Sequence, residues 1–353
     1  MIGFKIGFMG AGRIADVVSE TISKLDYFES YAIAARDLDR AEAFKEKHGF
    51  KVAYGSYEEL VNDPEVELIY IATVNSNHAE LAKMCINAGK PCLVEKPFSY
   101  NAATTKEVLD LATEKNVFCG EAMWLRYTPM MLMLISLIRE KNIIGPVKYI
   151  SANLCYDLTK KERMLKLETA GGALLDIGIY PLTAVLMVMG EAPVSIASGF
   201  TKLNTGVDAI DTVQMNFKSG AQASIFTSMM MESDNSLMIY GAAGRIEVDN
   251  VNCPTAMRIY KANGELLDTI TPPETQISGY EYEFLAAREA IITGHLDTPQ
   301  HPRANIMQMA DFMNQLRNTW QISFPLPGEK NSDDLKKMKE VADKIAEVSR
   351  KEQ

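Results

Sequence analysis

Residues 5–15 read KIGFMGAGRIA, a short β-rich run followed by the turn Gly10-Ala11-Gly12-Arg13-Ile14-Ala15 and the start of an amphipathic helix. No other stretch restricts the fold as much. Glycines at this spacing let the backbone turn tightly and approach a neighbour closely. The helix that follows offers free N–H groups and the positive end of its dipole. A bare glycine triplet is a weak signal, but at the junction of a first strand and a first helix it predicts a βαβ unit that seats a dinucleotide's pyrophosphate. Gly10, Gly12, Arg13 and Ile14 are therefore the first cofactor-binding candidates. The competing reading is a glycine turn with a packing role only.

The rest of the first third keeps this rhythm. Strands are expected at Lys5–Met9, Tyr31–Ala35, Val52–Tyr54, Leu68–Thr73, Cys92–Val94 and Val117–Cys119, with helices at Ile14–Leu25, Asp39–His48, His78–Ala88 and Asn101–Glu114. Six strands alternating with helices predict an α/β fold with a doubly wound parallel sheet. The pattern then changes. Thr128 and Pro129 open a helix to Arg139, and β-like runs follow at 147–156, 194–202, 212–218, 221–230, 236–240 and 245–249. Gly220 and Gly241 to Gly244 serve as turns between consecutive runs, so a second α+β domain with a large open, mainly antiparallel sheet is expected. Helices at Gly172–Met189, Tyr280–Thr293 and Ala304–Asn318 belong to it. The expected boundaries are 1–123 for the dinucleotide-binding Rossmann domain, 124–330 for a substrate-binding and oligomerisation domain, and 331–353 for a charged helical extension. That extension carries Leu335, Met338, Val341, Ile345 and Val348 at helical spacing.

Composition narrows the class. A chain of 353 residues exceeds one ordinary core. With 46 acidic against 36 basic side chains the formal charge is -10, which repels phosphate backbones and anionic lipid, so neither nucleic acid nor a membrane is an expected partner. The five cysteines are scattered without a C-x-x-C pair and read as reduced thiols of a cytoplasmic protein. The glycine turn interrupts the N-terminal apolar stretch before a signal peptide's apolar region could form. The longest apolar run, around Met130 to Ile138, reads as too short to span a bilayer. The 20 methionines cluster at 130–133, 187–189 and 229–231, as adaptable packing near a domain junction.

Further candidates gather where expected strands end. The second strand ends Ala35-Arg36-Asp37, where an acid usually meets the ribose 2′-OH. Arg36 there, with Arg40 a turn later, suits a 2′-phosphate and points to NADP, with NAD the alternative if Asp37 binds the ribose. The fourth strand ends in Thr73, with Asn75 and His78 close behind, and the fifth ends Glu95-Lys96-Pro97. All lie at the carboxyl edge, where open α/β sheets bind ligands. Asn75 and His78 alone read as a cap and a surface side chain. His48, His295 and His301 sit among charged or turn residues and should be solvated, and no cluster suggests a metal.

Together the glycine turn, Glu95-Lys96-Pro97, Glu121-Ala122-Met123-Trp124 and Gly171-Gly172-Ala173-Leu174-Leu175-Asp176-Ile177-Gly178-Ile179-Tyr180 resemble the Gfo/Idh/MocA oxidoreductases, in particular their dihydrodiol and D-xylose dehydrogenase branch. The resemblance covers about residues 3–328. It implies hydride transfer between a nicotinamide and a sugar, polyol or cyclic diol, with Lys96 and Tyr180 as the catalytic pair and Asp176 and Trp124 at the substrate. It also implies a cis peptide before Pro97, and a dimer or tetramer formed through the second sheet. Many relatives carry histidine where this chain has Tyr180, which favours the dihydrodiol branch. A nearby lysine ammonium should lower the phenol's pKa from about 10. The segment Asp157–Glu168 departs from the family pattern and is expected to line the substrate mouth. Two other readings remain open. One is a catalytically silent NADP-binding regulator on the same fold. The other is a reductase of a non-sugar carbonyl.

Overall fold

Strands β1 (Phe4–Met9), β2 (Phe28–Ala34), β3 (Val52–Tyr54), β4 (Leu68–Ile71), β5 (Cys92–Glu95) and β6 (Cys119–Ala122) pair in parallel in the order β3-β2-β1-β4-β5-β6. The reversal of direction between β1 and β4 opens a crevice beyond their carboxyl ends. This arrangement comes from a computed structural model, which describes residues 3–329 and the single position Lys337. The helical extension expected at 331–353 otherwise lies outside the described residues.

β4 (LIYI) and β5 (CLVE) are buried at every position, as a sheet covered on both faces requires. Helices α1 (Arg13–Ile22), α2 (Leu38–His48), α3 (Tyr57–Val61), α4 (His78–Asn87) and α5 (Ala102–Glu114) fill two cores on either side. α3 was not expected. Its Ser56/Glu59 capping box is visible in the sequence, but five residues carry too little periodicity to show as a helix.

After a short turn at Trp124–Tyr127 come α6 (Pro129–Arg139), β7 (Val147–Cys155), α7 (Ile179–Met189), β8 (Pro193–Lys202), β9 (Asp208–Phe217), β10 (Gln222–Ser228), β11 (Leu237–Gly241), β12 (Gly244–Asp249), β13 (Ala256–Lys261) and β14 (Leu266–Ile270), then α8 (Glu281–Ile292) and α9 (Arg303–Trp320). The eight strands form one sheet in the order β14-β13-β12-β11-β7-β10-β9-β8, antiparallel except for the β7–β10 pair. β13 and β14 are not among the expected strands; β14 is an exposed edge strand with no apolar alternation, whereas β13 alternates with Met257 and Ile259 buried. Thr128 stands at the N-cap of α6, but its hydroxyl donates back to Leu125 O instead of capping.

One face of this sheet packs on α7, nearly all of which is buried. Leu167–Met189, which ends in α7, contains an apolar window of mean hydropathy 1.8, 89% of which lies inside the protein as part of the core. Met130, Met131 and Met229 join that core, whereas Met133, Met230 and Met231 remain exposed. The opposite sheet face shows Tyr240 to solvent with Tyr149 beside it.

Candidate active site

The ends of β2, β1, β4 and β5 are spliced to loops that line one cleft of about 750 Å³. Following the strand order, Arg36, Asp37, Arg40 and Tyr57 stand at one end, Gly10 to Ile14 at the centre, and Thr73, Asn75, His78, Glu95 and Lys96 beyond them. The second domain closes the far end with Lys161, Arg163, Asp176, Tyr180 and Tyr280.

Gly10 adopts φ +101, and a Cβ there would lie 2.7 Å from Ala72 O, so the turn is pressed against the end of β4. Gly12 is the N-cap of α1 without any side-chain cap, which leaves the first N–H groups of the helix facing the cleft. This cradle fits a dinucleotide pyrophosphate. Asp37 caps α2 by accepting from Asp39 N at 3.0 Å, and Arg40 Nη2 donates to Ala11 O at 2.8 Å, bracing the glycine turn. Arg36 is exposed at the rim. Asn75 and His78 are not surface groups. Asn75 Nδ2 reaches Ala170 O of the second domain at 3.1 Å. His78 is fully buried and sits 2.8 Å from Pro97 O and 3.3 Å from Thr73 O, tying together the loops after β4 and β5. Burial pushes its imidazole below the ordinary value despite those carbonyls, which keeps it neutral. The Lys96–Pro97 peptide is cis.

At the inner end, Lys96 Nζ donates to Asp176 O at 2.6 Å and to Asp176 Oδ1 at 3.2 Å, and lies 5.1 Å from the centre of the Tyr180 ring. Arg163 grips the same carboxylate with both terminal nitrogens at 3.1 to 3.2 Å. Burial would raise the Asp176 pKa, but the charges of Lys96 and Arg163 outweigh it and hold the group at about 2. Glu95 goes the other way. Burial lifts it to about 7, although Tyr70 hydrogen-bonds it and Lys96 stands nearby.

The expected lowering of the Tyr180 pKa by Lys96 is not what this arrangement produces. The lysine ammonium donates to Asp176, not to the phenol, while burial first, then Tyr280, Glu95 and Asp176, push Tyr180 well above its usual value. Tyr180 is a neutral phenol here.

The expected helix over 172–189 begins as a π-turn, Leu174–Gly178, which places Asp176 on its bulge and Tyr180 in the first turn of α7. The turn is anchored from β9, where Asp208 Oδ2 accepts from Leu174 N at 2.6 Å. Gly172, at φ +111, leaves the space for it, since a Cβ would fall 2.3 Å from Asp208 Oδ1. Gly172→Ala is therefore expected to cost about 2–3 kcal/mol of stability, combining left-handed strain with a clash against a buried carboxyl. Thermal denaturation checks this, and an unshifted midpoint would show that Asp208 does not fix the turn.

Three expectations change. Trp124 does not line the cleft; it stacks on Tyr280 at 4.1 Å and 10°, and Tyr280 forms the wall. His301 is not solvated. It is buried with Nε2 2.6 Å from Glu121 Oε2, and Glu121 also accepts from Phe98 N at 2.7 Å, so the pair steadies the loop after β5. Its partner is 180 residues away, and its own neighbours gave no sign of it. His48 also has its side chain largely covered, against Asp16 at 2.7 Å, and His295 is exposed. Tyr57, Lys161, Arg163 and Tyr280 were not named from sequence. Lys161 and Arg163 belong to the Asp157–Glu168 segment, whose departure from the family pattern was the available signal.

The oxidoreductase family model with an NAD-binding Rossmann fold, GFO/IDH/MocA, matches residues 4–123, and the GFO/IDH/MocA C-terminal domain matches residues 134–247. The chain is 32% identical to trans-1,2-dihydrobenzene-1,2-diol dehydrogenase of Sus scrofa over 327 residues, 90% of this chain and 97% of that one. The protein of the same name from Xenopus tropicalis is 33% identical over 333 residues, 91% of this chain and 99% of its own length. Among solved structures, aldose-aldose oxidoreductase from Caulobacter crescentus superposes with a TM-score of 0.81 at 20% identity, covering 89% of this chain and 96% of that one. A 3-ketoreductase from Actinomadura kijaniata in complex with NADP gives 0.80 at 20% identity, covering 89% and 97%.

Proposed function

Because the chain belongs to the GFO/IDH/MocA oxidoreductase family, we propose that it transfers hydride between NADP and a CH–OH group of a sugar, polyol or cyclic diol, with Tyr180 as acid/base and Lys96 beside it. The observation that carries this reading is the meeting of Lys96, Asp176 and Tyr180 at the inner end of a cleft whose centre is a dinucleotide cradle. Gly10, Gly12, Arg13 and Ile14 would hold the pyrophosphate. Thr73, Asn75, His78, Glu95 and Lys96 would line the nicotinamide side. When bound, the nicotinamide supplies the hydride acceptor or donor.

Tyr180 takes the hydroxyl proton as hydride leaves the carbinol carbon, and returns it in the reverse direction. Since its phenol is neutral, reduction of a carbonyl is the direction it is poised for near neutral pH. Lys96, fixed by Asp176, orients the oxygen that gains or loses the proton. Asp176, ionised and bracketed by two cations, keeps the lysine aimed. A pure binder on this fold needs none of these three groups, which disfavours the regulator.

Arg36 supports NADP over NAD, because Asp37 already caps α2 and leaves the exposed guanidinium as the group nearest a 2′-phosphate. Fluorescence titration should show tighter binding of NADPH than NADH, and Arg36→Ala should weaken NADPH by about tenfold or more while sparing NADH. Equal affinities in the unmodified protein would defeat the assignment. A screen of aldoses, polyols and trans-dihydrodiols followed by nicotinamide absorbance tests the activity, and silence in both directions across the panel would overturn it. The exposed Tyr240, with Tyr149 beside it, supports a homodimer or homotetramer through the outer sheet face, and five free cysteines support a cytoplasmic setting.

A further inference from the structure

The cleft is unbalanced in charge. Six basic side chains line it, Arg13, Arg36, Arg40, Lys96, Lys161 and Arg163, against three acidic ones, Asp37, Glu95 and Asp176. Most of the basic groups are accounted for. Lys96 and Arg163 share Asp176, Arg40 holds the glycine turn, and Arg13 and Arg36 stand along the cofactor cradle.

Lys161 is different. Among the described residues it makes no ion pair and no side-chain hydrogen bond, although it is half-buried and lines the catalytic end. Burial, and then the facing charge of Arg13, hold its ammonium below the ordinary lysine range, with Arg163 and Lys96 adding to the effect. The one carboxylate that favours its charge, Asp176, is already occupied by two cations. A half-buried ammonium among like charges is costly unless an anion completes the site.

The position is also built, not left to a swinging loop. Asp157 Oδ1 accepts from Thr159 N at 3.1 Å, Met164 is fully buried beneath the segment, and the backbone of Arg163, Met164 and Lys166 packs so closely on Gly171 that a Cβ there would meet their carbonyls at 2.6 to 2.8 Å. Ala170, at the end of the segment, is held by Asn75 from the other domain.

We propose that the substrate is an acidic sugar or polyol whose carboxylate or phosphate is held by Lys161 while Tyr180 and Lys96 act on its carbinol carbon. This rests on the oxidoreductase reading and names the substrate class for the same site. A neutral sugar would leave Lys161 with no counter-charge beyond what the cofactor's phosphates supply along Arg13.

The test is calorimetric titration of D-glucuronate, glucose 6-phosphate and D-glucose into the full chain saturated with NADPH, repeated on Lys161→Gln and on the exposed neighbour Lys160→Gln as control. At least one acid should bind about tenfold or more tightly than glucose, and Lys161→Gln should remove that advantage while Lys160→Gln keeps it. Whichever acid shows the advantage identifies the anionic group. Raising the salt concentration should weaken the acid and spare glucose. Equal affinity for all three, no binding of either acid, or a Lys161→Gln variant whose only defect is weak NADPH binding overturns the proposal. Turnover is read separately by absorbance. A neutral sugar oxidised without a Lys161 effect sinks the acid site and leaves the oxidoreductase, whereas tight acid binding without turnover on any substrate counts against the oxidoreductase.

Discussion

Tyr180→Phe is expected to lower kcat by about 10²- to 10⁴-fold while leaving the affinity for NADPH unchanged, the range a positioned general acid or base contributes. The substitution deletes one oxygen at the wall of the cleft and keeps the ring that packs there, so folding and cofactor binding should survive. A pH profile separates a chemical role from a packing one. Burial and neighbouring carboxyls raise the phenol's pKa, so its ionised fraction, and with it the rate of alcohol oxidation, should climb about tenfold per pH unit through the neutral and mildly alkaline range. Reduction, which uses the neutral phenol, should stay flat there. The phenylalanine variant should lose the slope in oxidation. An enzyme that stays active without this hydroxyl, or a variant that retains the slope, removes Tyr180 from the acid/base position.

The second large effect is expected at Lys96. Lys96→Met should reduce kcat by about 10²- to 10³-fold, because the group that orients the reacting oxygen is lost along with its charge. It should also cost stability of about 1–3 kcal/mol, since Asp176 is then left buried with Arg163 alone. The sign of the pH effect follows from the depressed pKa. With Lys96 and Arg163 present, Asp176 titrates at about 2, so it contributes stability that is complete above about pH 4 and lost as pH falls through about 2. Removing Lys96 raises the folded-state value and moves the acid loss upward. Glu95, already lifted to about 7, loses a neighbouring cation and rises further. Acid unfolding followed by circular dichroism reads the first shift. Superimposable acid transitions for the two proteins would show that the Lys96–Asp176 contact does not act on the folded state.

The first domain was largely legible because its information is local. Glycines after β1, apolar strands a helix apart and a polar residue at each strand end identify the fold and the cleft's floor without knowledge of any distant contact. The errors share one cause, which is partners far away in the chain. Trp124 was assigned to the substrate, yet Tyr280, 156 residues later, covers it. His301 looked solvated until Glu121 supplied a buried partner. The lowered pKa expected for Tyr180 takes one neighbour into account, whereas the result depends on burial, on Tyr280 and Glu283 from one distant segment, on Glu95 from another, and on nearby Asp176. Asp176 in a π-turn could not be read either, because the turn depends on Asp208 from β9.

Lys96 belongs to a strand end of the first domain, while Asp176 and Tyr180 belong to the first turns of a core helix of the second. Neither half therefore holds all three groups. Under the proposed mechanism the seam between them is an alignment gauge: a tilt of one half against the other that stretches the Lys96–Asp176 contact by an ångström or two would misplace Tyr180 relative to the hydride path. The outer loops, Asp157–Glu168 among them, can therefore change without disturbing this centre only while the two halves still seat against each other in register.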